Sequence, residues 1–186
     1  MNTKKRHFSI PILLSLLAIV LTIFSSCVSE ISGDEWIERQ HYFFDELEAF
    51  GKEMDTIYTL YFTGKISDDD FKVEVDSLKT LYSYLELKRE KEKEEYPVAP
   101  EGHTFISKEC TKSLDNILNT YNKILNSTFN EDGSPVDVKN LSYTYMKYRR
   151  DIIDNVAGYE ASILVHKEEK AEKKKSQSQT QPSTSS

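Results

Sequence analysis

The chain predicts an all-α fold, an antiparallel up-down-up-down four-helix bundle, on three observations. Apolar and amphipathic side chains recur at alternating spacings of three and four through four segments, the period of a helix with one buried stripe. The segments, residues 34–62, 68–94, 104–128 and 135–168, have similar lengths, about 40–50 Å each at roughly 1.5 Å per residue. Short breaks rich in Gly, Pro, Asp and Ser separate them, and short connections favour antiparallel neighbours. A three-helix bundle with one extended arm is the alternative.

The first helix carries Trp36, Gln40, Phe43, Leu47, Phe50, Met54, Ile57 and Tyr61 on its stripe. Ile37, Phe44 and Tyr58 widen that stripe beyond a two-stranded coiled-coil seam, which suits a bundle core. Thr63-Gly64-Lys65 ends it. In the second, Ser67 is an N-cap and Asp68, Asp69 and Asp70 sit in the positive first turn. Phe71, Val75, Leu78, Tyr82 and Leu85 form its buried line, and the charged run from Lys88 to Glu95 reads as exposed pairs until Tyr96-Pro97 stops the helix. The third buries Ile106, Cys110, Leu114, Ile117, Leu118, Tyr121, Ile124 and Leu125. For the fourth, Ser134 reads as N-cap and Pro135 as the first helical residue, followed by a stripe of Val138, Leu141, Tyr145, Tyr148, Ile152, Val156, Tyr159 and Ile163. Residues from 169 to 186, rich in Lys, Ser, Gln and Thr, lack the apolar surface that offsets ordering and read as a disordered tail.

Ahead of the bundle stands a leader. Lys4, Lys5, Arg6 and His7 form a basic start, an apolar run extends from Phe8 to Phe24, and Ser25 and Ser26 precede Cys27. Phe24-Ser25-Ser26-Cys27 resembles the lipobox of bacterial lipoprotein signal peptides. Phe24 stands where Leu is commoner, and Ser26 where Gly or Ala is more usual. The resemblance covers residues 1–27 and implies that the leader, 1–26, is removed, that the Cys27 thiol receives a diacylglycerol, and that 27–33 is a lipidated tether. The bundle would then be 34–168, held at the cell envelope on a bacterial membrane. An uncleaved membrane-spanning anchor is the alternative reading of the same apolar run. The body of the chain resembles only the broad group of small helical envelope lipoproteins, which transfers no site.

Composition excludes several functions. Without residues 1–26 the chain loses Lys4, Lys5 and Arg6 from its 24 basic side chains and none of its 31 acidic ones, leaving 21 against 31. No basic stripe exists for phosphates, so nucleic acid is not an expected partner. The mature length suits one domain. Beyond Cys27 the only thiol is Cys110, so no intramolecular disulfide can form, and Cys110 itself reads as a buried small hydrophobe.

Glu38 and His41 share the Glu-x-x-His spacing of dinuclear carboxylate bundles, but the second pair is missing, since Ile163 precedes His166 and Pro100 precedes His103 by three. His41 therefore reads as a half-exposed amphipathic residue. Asp68, Asp69 and Asp70 have their reason at a helix N-terminus, and no calcium-loop spacing appears. Gly-rich phosphate loops, zinc-type Cys spacing and nucleophile elbows do not occur. Neither catalytic, metal nor cofactor residues are expected. Most tyrosines fall on the stripes as core, whereas Tyr143 falls off the fourth and would point to a protein-binding face if exposed.

The expectation is a non-enzymatic envelope lipoprotein, joined to the membrane through lipidated Cys27, that serves as a protein-binding or structural module for an envelope protein. The alternative is a small-ligand sensor or carrier using a groove between the helices. A cavity lined by Tyr and Leu would favour the carrier, and a continuous exposed apolar face on a solid bundle would favour protein binding.

Overall fold

The computed structural model describes residues 31–96 and 104–179; Cys27, the leader and residues 180–186 lie outside the described residues. Its helices are α1 (Gly33–Phe62), α2 (Asp68–Glu95), α3 (Thr104–Asn126) and α4 (Val138–Gln179). Among the described residues there is no strand, only an isolated bridge between Phe129 and Pro135. The fold is an all-α helical bundle.

Local chemistry sets the helix ends. Ser32 caps α1 by accepting the Glu35 N–H at 3.1 Å. At its other end Gly64, at φ 65°, lets the Lys65 N–H reach the Leu60 carbonyl and its own N–H the Tyr61 carbonyl, a Schellman closure. Ser67 caps α2 by accepting from the Asp70 N–H and donates its hydroxyl to the Asp70 carboxylate.

The start of α4 corrects the sequence reading. Asp137 is the cap, its carboxylate accepting from the Lys139 and Asn140 N–H groups, and the helix begins at Val138 rather than Pro135. Ser134 is held in the preceding turn, where both its N–H and hydroxyl donate to Asp132 and Pro135 joins the bridge. Asp137 prevails because the turn has already committed Ser134. Val138, expected on the buried stripe, is 40% exposed.

One hydrophobic core draws on all four helices, and the expected buried lines of α1, α2 and α3 lie in it, except that Gln40 is buried as a polar group and Ile37 is only partly buried. From α4 it takes Leu141, Tyr145, Ile152, Tyr159 and Ile163, while Tyr148 and Val156 pack partly buried against it. Cross-helix contacts join opposite ends of α1 and α2 and the middles of α3 and α4. Gln40 meets Arg89 and Tyr61 stacks on Phe71 between α1 and α2; Asn116 meets Asn155 between α3 and α4. Asp34 pairs with Lys170 and Asp55 with Arg149, so the start of α1 and the late part of α4 share one end. Helices α1 and α3 also touch across the core, where Tyr121 donates to the Leu47 carbonyl at 3.0 Å.

Helix α4 continues to Gln179, past the expected boundary at 168. The expected disorder is thereby corrected for 169–179. Glu169 to Lys175 are good helix formers, and adding residues to an existing helix avoids the cost of nucleation. Residues 167–176 are exposed, so this extension adds no core.

Candidate functional site

Two features stand out from a well-packed bundle. The first is a buried polar cluster where the start of α1, the end of α2 and the first half of α3 meet. The α2 stripe steps from Leu85 by four residues to Arg89, which places a guanidinium in the core at 2% exposure. This corrects the expectation that Lys88 to Glu95 forms only exposed pairs. Arg89 Nε donates to Asp115 at 2.8 Å, and Nη1 donates to Gln40 at 2.8 Å and to Glu92 at 3.3 Å. Gln40 in turn donates to Glu92 at 2.7 Å, and Lys93 stands 3.2 Å from Asp115. The guanidinium also lies over the Phe43 ring at 5.3 Å. Only Nη2 of Arg89 is buried without a hydrogen-bond partner among the described residues, and such an orphaned donor is costly. Arg89, Trp36, Tyr96, Ser107 and Thr111 line a cavity of about 290 Å³ there. Beside it a charged groove of about 580 Å³ runs between α1 and α2, walled by Arg39, Lys88, Glu92 and Glu95. Each space has one tyrosine in its wall, Tyr96 and Tyr42, and neither has a leucine.

The second feature is the outward face of α4. Tyr143 is 75% exposed, and it is joined on the same face by Met146, Ile153 and Leu164, all more than half exposed. Their spacing makes one apolar seam opposite the stripe that faces the core. Sequence reading singled out Tyr143 alone; the other three follow it at successive spacings of three, seven and eleven, but only the buried stripe of α4 was traced.

Candidate chemistry finds little support. His41 is exposed and stacks against Phe44 and Tyr159, with centroids at 6.3 and 6.4 Å, and Glu38 points to no shared ligand set. No group of three or more His, Cys, Asp or Glu side chains among the described residues could hold a metal ion. Cys110 is fully buried, and burial pushes its thiol up to about 11, which keeps it protonated and unreactive near neutral pH. Burial likewise raises the hydroxyls of Tyr58, Tyr121, Tyr145 and Tyr159, whose oxygens serve packing bonds such as Tyr58 with Thr128 and Tyr145 with Asp55. No described helix is long and apolar enough to cross a membrane. The site residue expected for lipid attachment, Cys27, lies outside the described residues.

Among the described residues, fold and surface together define a helical-bundle protein with a buried arginine cluster and an exposed apolar seam on α4; Val73, Tyr84 and Leu87 of α2 are also exposed. The chain matches no protein-family model, no curated protein and no solved structure.

Proposed function

We propose that this protein is an envelope lipoprotein, held to a membrane by acylated Cys27, whose helical bundle is a non-enzymatic protein-binding module that docks its partner on the outward face of α4. The carrying observation is the α4 seam, because large apolar side chains exposed in a row on an otherwise well-packed bundle are costly to leave in water and mark a docking surface. The basic leader, apolar run and Cys27 support the anchor and the placement outside the cytoplasm. Five residues, Val28 to Ser32, then separate the anchor from α1, a reach of about 17 Å when extended.

In-cell crosslinking of the lipidated chain, followed by identification of what is captured, tests the docking face. Replacing Tyr143, Met146 and Leu164 by Ser should abolish capture of a recurrent protein while helicity is kept. Unchanged capture refutes the assignment. Mass spectrometry of the native N-terminus should find acylated Cys27, and a retained leader would refute the anchor.

A second reading has its own observation. Arg89 Nη2 offers an unmet donor beside the cavity, which favours a small ligand bearing a carboxylate or carbonyl oxygen. Native mass spectrometry of the purified protein should then show a bound small molecule that Arg89→Met removes.

A further inference from the structure

The outward face of α4 carries enough pattern to name its own partner, an inference that rests on the docking reading above. The seam is apolar except at Arg150, Glu160 and Lys167; Arg150 and Glu160 are exposed, and neither forms an ion pair among the described residues. Ten positions apart on one helix, they stand about 15 Å from each other and cannot pair within the chain. They are equidistant from residue 155. So are the other seam positions: Met146 and Leu164, Ile153 and Ala157, Tyr143 and Lys167. Met146 mirrors Leu164 and opposite charges stand at mirrored places, an arrangement that suits an interface between identical subunits about a twofold axis.

We propose that α4 pairs antiparallel with α4 of a second copy of this chain, about a twofold axis beside residue 155. Arg150 of each subunit then faces Glu160 of the partner subunit, and the desolvated pair fixes the register. Met146 packs on Leu164 of the partner subunit, and Ile153 on Ala157 of the partner subunit, whose small side chain lets the helices approach. Lys167 of the partner subunit reaches the face of Tyr143. A parallel, in-register pair would instead oppose Arg150 to Arg150 and Glu160 to Glu160, so the charges select the antiparallel arrangement. One like-charge contact remains: exposed Asp154 flanks the axis and meets its own copy. Because Asp34 pairs with Lys170, the start of α1 lies beside the late part of α4. Antiparallel pairing therefore puts the two tethers at opposite ends, and the dimer lies along the bilayer rather than standing on it.

Sedimentation of the full lipidated chain in detergent tests the proposal, with circular dichroism to check folding. The native chain should be a dimer. Arg150→Glu and Glu160→Arg should each weaken it by about tenfold or more, and the double charge swap should restore it. Asp154→Asn should tighten it. In cells, Met146→Cys combined with Leu164→Cys should give an intersubunit disulfide absent from the native chain and from either single variant. A monomeric native chain would overturn self-pairing, and a double swap that fails to rescue, or crosslinking by a single cysteine variant, would overturn the antiparallel arrangement. If the chain is monomeric and the Ser variants of the seam lose capture of a different envelope protein, the docking face stands and only the second copy falls. If those variants lose nothing, the docking reading falls with it.

Discussion

Gly51 sits in the middle of α1 where that helix passes α3, and replacing it by Ala sets two opposing effects against each other. Ala is the better helix former by about 1 kcal/mol. A Cβ at this position would lie 2.2 Å from the Tyr121 hydroxyl oxygen and 3.2 Å from the ring carbon that bears it. Tyr121 is 4% exposed and packed edge-on to Phe50 at 5.0 Å, so the ring has nowhere to go without disturbing the core. Overpacking of this kind costs about 1–3 kcal/mol. Moving the ring also breaks the 3.0 Å bond to the Leu47 carbonyl and strands a buried hydroxyl, for about another 1–3 kcal/mol. Net, Gly51→Ala should destabilise the protein by about 1–5 kcal/mol despite its better propensity. The control is Tyr121→Phe, which removes the clashing oxygen. In that background the 3.2 Å approach needs only a few tenths of an ångström, and Gly51→Ala should fall within about 1 kcal/mol of neutral. Urea unfolding of the four proteins in the cycle, followed by circular dichroism, gives the coupling energy. Equal effects of Gly51→Ala in both backgrounds, or stabilisation in the native background, would refute the close approach of α1 and α3.

Arg89→Ala removes the centre of the buried cluster and leaves Gln40, Glu92 and Asp115 without their cation, so it should cost about 3–5 kcal/mol in urea unfolding. Arg89→Met keeps an unbranched stem against Phe43, and Glu92 and Asp115 are accessible enough to rehydrate, at 15% and 27% of their side chains; it should cost clearly less, and equal losses would contradict this account. Alkaline pH should destabilise the bundle. Tyr82 is pushed up to about 12 by burial and then by Glu86, and burial raises Tyr58, Tyr121, Tyr145 and Tyr159 as well. Unfolded tyrosines ionise near pH ~10, so below that the folded and unfolded states hold the same hydroxyl protons. Above it the unfolded chain releases protons that the folded one keeps, and stability falls with rising pH by about 1.4 kcal/mol per unit for each such tyrosine. A urea midpoint unchanged from pH ~9 to ~11.5 would show that these hydroxyls titrate normally in the fold.

How much was legible varies by residue. The α1 line from Trp36 to Tyr61, Gln40 included, is buried as its spacing implied, because amphipathic periodicity is a property of the helix itself and survives whatever neighbours it meets. Arg89 was hidden although it continues the α2 period, since a charged run reads as solvated unless partners are known, and its partners Gln40 and Asp115 lie 49 and 26 positions away. The cap of α4 went to Asp137 rather than Ser134 because two good caps competed and the turn at Asp132 decided between them. The seam of α4 was half legible: Tyr143 announced itself by falling off the buried stripe, while Met146, Ile153 and Leu164 required knowledge of which face the core occupies.

By itself, the sequence determined the helices and their faces, because period, caps and turn residues act over a few neighbours. Which helices touch across the core, which charge is buried and which apolar residues are left facing water were decided only by tertiary structure. Those depend on contacts between residues tens of positions apart, where Gly51 admits Tyr121 and Asp115 meets Arg89. Local periodicity carries no record of such meetings.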